Sequence, residues 1–316
     1  MLIASPDSKI QSFKRTERLM GNTFEITVVG QDPKWADIKL DMAVEEIRRI
    51  ERLLTTFNED SQTNRINKNA GLCATEVDRE VFNLIERSIR ISEITDGAFD
   101  ITYGAVDKKL WNFDQNMIAM PSEAHAKSMV RLINYKNIIL DHQLGTVMLR
   151  EVGMRIGFGG IGKGYAAEMA KALLKSEGVT SGIVNASGDL TAWGTQPNGQ
   201  PWTIGIVDPD HKHLPFSYLN VTDMAVATSG SYEKYVMIDG VKYSHTINPK
   251  TGLPVRGVKS VTIISPNAEI ADAIATPVTI MGIRAGIEMI DQIHHLACII
   301  IDDNNKIYTS KNINLK

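Results

Sequence analysis

The chain is poor in cysteine, in clustered positive charge and in long apolar runs. Only two of its 316 residues are cysteines, Cys73 and Cys298, and they form no C-x-x-C spacing, so we expect neither a disulfide nor a cysteine-bound metal. The net charge is −3, whereas a nucleic-acid surface needs concentrated Lys and Arg. No segment combines the length and apolarity of a membrane-spanning helix. The sequence therefore predicts a protein that binds no nucleic acid and has no transmembrane segment.

The first residues also lack the charged start and apolar stretch of a secretory signal. The compartment is left open between the cytoplasm, for the chain as given, and an exported location, if a signal has been removed. Residues 1–16 are interpreted as an N-terminal extension.

The pattern of apolar residues predicts an α+β fold. A chain of 316 residues is at or past the size at which one core stops growing, which favours two subdomains. Alternation predicts strands near residues 24–30, 146–151, 181–186, 202–207, 223–227, 235–238, 258–264 and 296–301. Helical spacing predicts helices at about 33–54, 78–94, 122–133, 163–177, 268–281 and 284–293, with a loop over 55–71. Their irregular order is typical of α+β proteins.

A glycine-rich segment, GFGGIGKGYAAE at 157–168, matches both the G-x-G-x-x-G and the G-x-x-x-x-G-K nucleotide-binding patterns. A phosphate loop requires Ser or Thr after its Lys, but Gly164 follows Lys163. A dinucleotide fold requires an acidic residue at the end of the next strand, but that strand ends in Asn185. Glycines that serve only tight packing are a further alternative. Because N–H groups at a helix start attract anions, we favour a phosphate-bearing ligand in a different fold.

Asp272 and Thr276 lie four residues apart in a predicted helix and therefore share one face. Their oxygens suit Mg²⁺, and Pro277 deprives the Ala273 carbonyl of its helical N–H partner. The alternative, which spacing alone favours, is that Asp272 complements the helix N-terminus and Thr276 is a core hydroxyl.

His245 comes at the end of a predicted strand, just before the turn signature NPKTG at 248–252. A His in this place can take a proton from a hydroxyl near neutral pH. A single His is more often structural, so its position alone leaves both roles open.

Eight segments, taken in order, resemble the motifs of one family, the ApbE-type FAD:protein FMN transferases. They are LMGNTFEITVV (19–29), LLTTFNEDSQTNRIN (53–67), TDGAFDITYGAVDKKLW (95–111), GFGGIGKGYAAE (157–168), VNASGDLTAWG (184–194), AVATSGSYEKY (225–235), YSHTINPKTGLPV (243–255) and SVTIISPNAEIADAIATPVTIMG (260–282). Because they keep their order and spacing over nearly the whole chain, the resemblance is specific.

The resemblance implies an ApbE-like α+β fold over residues 17–316, with two intertwined β/α/β-type subdomains and FAD in the cleft between them. It implies a Mg²⁺-dependent enzyme that transfers FMN from FAD to a Thr or Ser hydroxyl of a target flavoprotein and releases AMP. Mn²⁺ can replace Mg²⁺ at such an oxygen site. Family acceptors carry a motif like D-G-x-[ST]-G-A-T, which this chain lacks, so the chain resembles the transferase and not its acceptor.

The resemblance also assigns roles to individual residues. The implied metal ligands are Asp272, Thr276 and the backbone carbonyls of Gly160 and Ala275. The implied FAD-binding positions are Met20, Phe57, Ala98, Phe99, Asp100, Gly157, Lys163 and Thr246. The implied catalytic residues are His245, as base for the acceptor hydroxyl, and Asp272.

Three positions depart from the family pattern: Gly157 and Asn248 each replace an Asp, and Pro277 lies in the metal-site helix. Two other functions use the same residues and stay open at this point. One is an FAD pyrophosphatase that yields free FMN and AMP, and the other is a flavin-binding protein without turnover.

Overall fold

The computed structural model describes residues 9–106, 121–207, 215–230, 235–238 and 240–313. Within them the helices are α1 (Pro33–Leu54), α2 (Gln62–Lys68), α3 (Arg79–Ile94), α4 (Glu123–Met129), α5 (Gly162–Ser176), α6 (Ala268–Met281) and α7 (Ile283–Ile290). The strands are β1 (Gln11–Leu19), β2 (Asn22–Gly30), β3 (Thr75–Glu76), β4 (Ile138–Asp141), β5 (Thr146–Leu149), β6 (Gly182–Ala186), β7 (Asp189–Trp193), β8 (Trp202–Val207), β9 (Pro215–Val221), β10 (Met224–Gly230), β11 (Tyr235–Ile238), β12 (Val241–Ser244), β13 (Val258–Ser265), β14 (Ala297–Asp302) and β15 (Ile307–Thr309). This mixture confirms the α+β prediction.

The chain divides into two compact units, each assembled from three stretches of sequence. Unit 1 comprises residues 1–51, 163–227 and 264–271. Unit 2 comprises residues 52–162, 228–263 and 272–316.

Unit 1 is built on antiparallel strands in the order β1-β2-β6-β7-β10. Strand β2 alternates as predicted, with the side chains of Phe24, Ile26 and Val28 fully buried. The buried residues of α1 follow helical spacing, and Asp32 Oδ1 accepts the backbone N–H of Lys34 at 3.0 Å, as expected of a helix start. Strands β8 and β9 form a separate antiparallel hairpin.

Unit 2 holds α2, α3, α4 and α7 together with several small groups of strands. Strands β3, β5 and β4 form one antiparallel sheet, and β11 and β12 form a hairpin. Strands β13, β14 and β15 are neighbours in that order. Strand β13 is buried along its whole length, including its polar residues Lys259, Ser260, Thr262 and Ser265.

The predicted helices and strands match α1, α3 to α7 and eight of the described strands to within a few residues, whereas β7 and β9 match no predicted strand. The predicted loop over 55–71 is wrong. It contains α2, a seven-residue helix whose polar sequence, QTNRINK, carries little helical apolar pattern. Strand β1 also escaped prediction, and it includes residues 11–16 of the segment interpreted as an extension. Exposed and partly buried positions alternate along it, and charged residues occur on both faces, as edge strands tolerate.

Parts of the sequence motifs lie outside the described residues, namely 107–111 of the 95–111 motif and 231–234 of the 225–235 motif. In the described part of the chain no helix has the length and apolarity needed to cross a membrane.

Candidate active site

The loop before α2 is anchored by the N-cap residue of that helix. Ser61 is the N-cap of α2, and its hydroxyl oxygen accepts the backbone N–H of Asn64 at 3.1 Å. The same hydroxyl donates to the carbonyl of Thr55 at 2.6 Å. One buried side chain thus fixes both the start of the helix and the start of the loop.

Asn64 anchors the same loop at two further points. Its side-chain amide donates to the carbonyls of Thr56, at 2.9 Å, and Asn58, at 2.7 Å. Between these two residues the ring of Phe57 is 98 % exposed. A rigid loop that presents a bare aromatic ring is suited to stack on a planar ligand or a partner surface.

The end of α2 positions the glycine-rich segment. The buried side chain of Asn67 donates to the carbonyl of Ile156 at 3.0 Å and accepts the N–H of Ile156 at 2.7 Å. Since Ile156 directly precedes Gly157, this double hydrogen bond fixes the backbone where the glycine-rich segment begins.

The glycines at 157 and 159 are not required by the packing of the protein. The Gly157 N–H donates to the carbonyl of Ile101 at 2.9 Å. A Cβ built on Gly157 would have Thr56 Cγ2 as its nearest neighbour, at 3.9 Å, and one built on Gly159 would meet no atom of the described residues within 4 Å. The packing alternative therefore fails at these two positions, and the open space favours a ligand.

The strand arrangement excludes a dinucleotide fold. That fold needs a strand that leads into the glycine-rich turn and a parallel strand after the helix. Here the described residues 153–158 make only an isolated bridge, from Arg155 to Tyr103. Strand β6, which follows α5, pairs antiparallel with both β2 and β7.

The turn over 96–106 carries three of the predicted FAD-binding residues. Ala98 and Phe99 are buried. The carboxylate of Asp100 accepts the Thr102 N–H at 2.8 Å, the Thr102 hydroxyl at 2.6 Å and the Tyr135 N–H at 2.8 Å. Burial raises the pKa of Asp100, and these hydrogen bonds oppose that rise. Asp100 therefore organises the turn, whatever it contributes to a ligand.

His245 lies on a turn that its neighbours hold by backbone hydrogen bonds. Ser244 and Thr246, on either side of it, bond to Val255: the Ser244 N–H donates at 3.2 Å and the Thr246 carbonyl accepts at 2.9 Å. The Ser244 hydroxyl also accepts the Thr246 N–H at 3.1 Å. The His245 side chain is exposed, so a rigid backbone presents a solvent-accessible imidazole.

Asn248 closes the same turn. Its side-chain oxygen accepts the Lys250 N–H at 2.9 Å, and its carbonyl accepts the Gly252 N–H at 2.9 Å. An amide oxygen accepts this N–H as well as a carboxylate oxygen would, so Asn248 keeps the turn without the Asp that the family resemblance implies. Gly252 has a φ of +71°, and a Cβ there would lie 2.0 Å from the Ala126 carbonyl oxygen, so only glycine fits.

The turn is also held by apolar contacts and by an ion pair. Ile247 belongs to a buried cluster with Val106, Met129 and Val130. The Lys250 ammonium lies 2.5 Å from a carboxylate oxygen of Asp96 and lowers the pKa of that carboxyl. The turn that carries His245 is thereby joined to the turn that carries Ala98, Phe99 and Asp100.

The predicted metal ligands Asp272 and Thr276 lie one turn apart on α6. Asp272 is 7 % exposed and Thr276 is partly exposed. Pro277 lies inside the helix as predicted, so the Ala273 carbonyl has no N–H of residue 277 to accept. A buried carboxylate with a hydroxyl on the same face supplies hard oxygen donors.

The two predicted carbonyl ligands differ in their surroundings. A Cβ on Gly160 would lie 3.6 Å from the ring of Phe99, which places the glycine-rich segment against the 96–106 turn. The Ala275 carbonyl already accepts the Thr279 hydroxyl at 3.0 Å, which makes it the less available donor.

The described residues contain no cluster of three or more His, Cys, Asp or Glu side chains that could hold a metal. Carboxylate, hydroxyl and carbonyl oxygens are donors of the kind that suits Mg²⁺ better than Zn²⁺.

Two predicted FAD-binding residues belong to unit 1. Met20 lies in the β1–β2 turn with a φ of 52°, and its carbonyl accepts the Asn22 side-chain amide at 3.0 Å. Lys163, in the first turn of α5, forms an ion pair with Asp189, the buried first residue of β7.

The structure connects part of the predicted site and adds residues that sequence reasoning missed. Contacts within unit 2 join the Phe57 loop, the 96–106 turn, the glycine-rich segment and the His245 turn. The missed residues are Asn67, which fixes Ile156, and Asp189, which holds Lys163. Both occupy polar positions within motifs, and this is the signal that could have found them.

Comparison with known proteins gives one consistent family. The model of the ApbE family matches residues 20–300. The FAD:protein FMN transferase of Treponema pallidum is 28 % identical, over 97 % of this chain and 89 % of that protein. The enzyme of the same name from Salmonella typhimurium is 29 % identical, over 91 % of this chain and 82 % of that protein.

Solved structures agree with the fold. The crystal structure of the ApbE protein of Thermotoga maritima has a TM-score of 0.85 and 32 % identity, and covers 95 % of this chain and 97 % of that one. The apo flavinyl transferase ApbE of Pseudomonas stutzeri has a TM-score of 0.82 and 26 % identity, and covers 96 % of this chain and 95 % of that one. With a family match over most of its length and the same fold, this chain belongs to the ApbE family.

Proposed function

We propose that the protein is an FAD:protein FMN transferase that moves FMN from FAD to a Thr or Ser hydroxyl of an acceptor flavoprotein and releases AMP. The observation that carries the proposal is the contact network within unit 2, in which the His245 turn, the 96–106 turn and the open glycine-rich segment are joined. The names of the relatives support the same activity.

The reaction exchanges one phosphorus–oxygen bond for another. His245 takes the proton of the acceptor hydroxyl, and the oxygen attacks the phosphorus of the FMN half of FAD. The bond from that phosphorus to the bridging oxygen breaks, and AMP leaves with the bridging oxygen and its electron pair. The proton held by His245 is then available to AMP or to water, so the base is regenerated.

The electrostatics of this step come from a small number of groups. Asp272 and Thr276, with the Gly160 carbonyl and the more weakly available Ala275 carbonyl, would hold Mg²⁺. When bound, Mg²⁺ neutralises charge on the pyrophosphate oxygens. Lys163 adds a positive charge held in place by Asp189, and backbone N–H groups at the start of α5 favour a phosphate. As in other phosphoryl transfers, most of the catalysis is positioning and charge stabilisation.

The remaining residues orient the flavin. The exposed Phe57 ring offers a stacking surface, and Met20, Ala98, Phe99, Asp100 and Thr246 supply the other predicted contacts. Gly157 lacks the carboxylate that the family resemblance implies at this position. This chain would therefore make one hydrogen bond fewer to FAD here, and water would fill the space.

The test uses purified protein, FAD, Mg²⁺ and an acceptor domain that bears D-G-x-T-G-A-T. The intact mass of the acceptor and the AMP released are measured, with a Thr→Val acceptor and a chelator as controls. We expect an FMN adduct on the Thr acceptor only, in amounts equal to AMP, and none with chelator. AMP and free FMN without an adduct would favour a pyrophosphatase, and FAD binding without either product would favour a flavin-binding protein.

A further inference from the structure

A buried pair of opposite charges runs along one face of α5, outside the predicted site residues. Glu168 and Lys171 lie one helical turn apart, and their side chains are only 12 % and 11 % exposed. The Lys171 ammonium lies 2.6 Å from Glu168 Oε1 and 3.1 Å from the hydroxyl of Thr191 on β7. Both partners of this pair are held in a single geometry.

The second oxygen of Glu168 acts on a different helix. Glu168 Oε2 accepts the backbone N–H of Ala268, the first residue of α6, at 2.9 Å. The first N–H groups of a helix have no partner within it, and a negative charge there is favoured by the helix dipole. Glu168 therefore caps α6 from a position one hundred residues earlier in the chain.

The start of α6 is fixed at a further point by its own sequence. Asn267 accepts the Ile270 N–H at 3.1 Å, and the Ser265 hydroxyl accepts the Asn267 N–H at 3.1 Å. The hydrogen bond from Glu168 is the part of this cap that comes from a different element, helix α5. Since replacing a buried ion pair by apolar groups is often neutral or stabilising, stability alone is a weak reason for the chain to keep it.

We propose that Glu168 is a positioning residue for the metal site: by holding the first N–H of α6, it sets the position of Asp272, one turn further along the same helix. Lys171 and Thr191 hold Glu168 in the orientation that this requires. The inference rests on the proposed function for the identity of the metal ligand, but its test measures metal binding directly.

The experiment compares two double variants that both remove the buried charges. The first variant, which combines Glu168→Gln with Lys171→Met, keeps an oxygen that accepts the Ala268 N–H. The second variant, which combines Glu168→Ala with Lys171→Met, has no such oxygen. Mn²⁺ affinity is measured by electron paramagnetic resonance on the full chain, and FMN transfer is measured at saturating metal. We expect the Ala variant to lose at least fivefold in Mn²⁺ affinity, with kcat at saturating Mn²⁺ within twofold of wild type. The Gln variant should bind Mn²⁺ within twofold of wild type.

A matched control removes another ion pair near α5. Glu177, just after the helix, pairs with Lys39 at 3.0 Å, and Glu177→Gln should leave Mn²⁺ affinity unchanged. Equal Mn²⁺ affinity in the two double variants would overturn the proposal. If the double variants do not fold, Asn267→Ala, which removes the other cap of α6, must weaken Mn²⁺ binding, and unchanged binding counts against the idea.

The same titration separates this inference from the proposed function. Wild-type protein that binds Mn²⁺ but transfers no FMN would refute the transferase, while the comparison of the variants still decides the role of Glu168. If Asp272→Asn leaves Mn²⁺ affinity unchanged, the metal does not bind on α6, and the inference about Glu168 is overturned.

Discussion

His245 presents an exposed imidazole on a backbone that Ser244, Thr246 and Val255 hold in place. We expect His245→Asn to reduce kcat for FMN transfer by about 10²-fold or more, the usual contribution of a general base. FAD affinity should stay within about threefold of the wild-type value, because the backbone of the turn keeps its hydrogen bonds.

The measurement is acceptor mass against time, with FAD binding followed by flavin fluorescence. His142→Asn is the matched control, since His142 contacts Glu86 and Phe82 and lies on none of the site segments. Transfer by His245→Asn at the wild-type rate would show that another group takes the proton.

Asp100 gives a pH dependence of stability whose sign follows from its environment. Burial raises the pKa of Asp100 in the folded protein, so the folded state holds the proton more tightly than the unfolded state, in which the pKa is about 3.9. The contribution to stability is full below the unfolded pKa and is lost as the pH rises through the raised folded pKa.

The check is urea unfolding of wild type and Asp100→Asn at closely spaced pH values from pH 4 upward. The free energy of unfolding of the wild type should fall relative to that of the variant as the pH rises, and then level off. A difference that grows in favour of the wild type with rising pH would mean that the three hydrogen bonds to the carboxylate outweigh its burial.

At the scale of elements, the short helix α2 fixes the segments that bear the site. Asn67→Asp changes the donor that faces the Ile156 carbonyl into an acceptor and buries a negative charge. We expect the free energy of unfolding to fall by at least about 2 kcal/mol, because a buried carbonyl loses its partner and a charge is desolvated.

Urea denaturation measures the effect. The control is Asn58→Asp in the exposed loop that precedes α2, which we expect to stay within about 0.5 kcal/mol of wild type. If both substitutions cost the same, the double hydrogen bond to Ile156 does not fix the glycine-rich segment as described.

The elements that sequence reasoning recovered are those in which apolar spacing decides the structure, such as α1 and β2. Helix α2 was missed because its residues are polar and its stability comes from Ser61 and Asn64 bonding to the preceding loop. Strand β1 was missed because it is an edge strand with charged residues on both faces, which removes the apolar alternation.

The features of the candidate site also divide into those that the sequence predicts and those that it does not. Short-range features, such as Asp272 and Thr276 on one helix face or the turn at Asn248, are set by spacing and are visible in the sequence. Long-range pairs, such as Asn67 with Ile156 and Glu168 with Ala268, join residues 89 and 100 positions apart. No local pattern encodes these pairs, because the fold brings them together.

For the molecule as a whole, ligands that bind only the folded state raise its stability by mass action. A ligand at 100 times its dissociation constant adds about 2.7 kcal/mol. We expect FAD to raise the Tm and, if Asp272 and Thr276 hold Mg²⁺ as proposed, Mg²⁺ together with FAD to raise it further. Thermal unfolding with each ligand alone and with both measures this.

Asp272→Asn should abolish the Mg²⁺ increment while the FAD increment persists. A chelator should do the same to the wild type. An Asp272→Asn protein that keeps the full increment from Mg²⁺ would place the metal elsewhere in the chain.

The open space around Gly157 has a consequence for how this enzyme can change over evolutionary time. A Cβ at this position meets no atom of the described residues closer than 3.9 Å, so packing against the Cβ does not restrict the position to glycine. If Gly157 contacts FAD as proposed, selection on flavin affinity can act at this position separately from selection on folding.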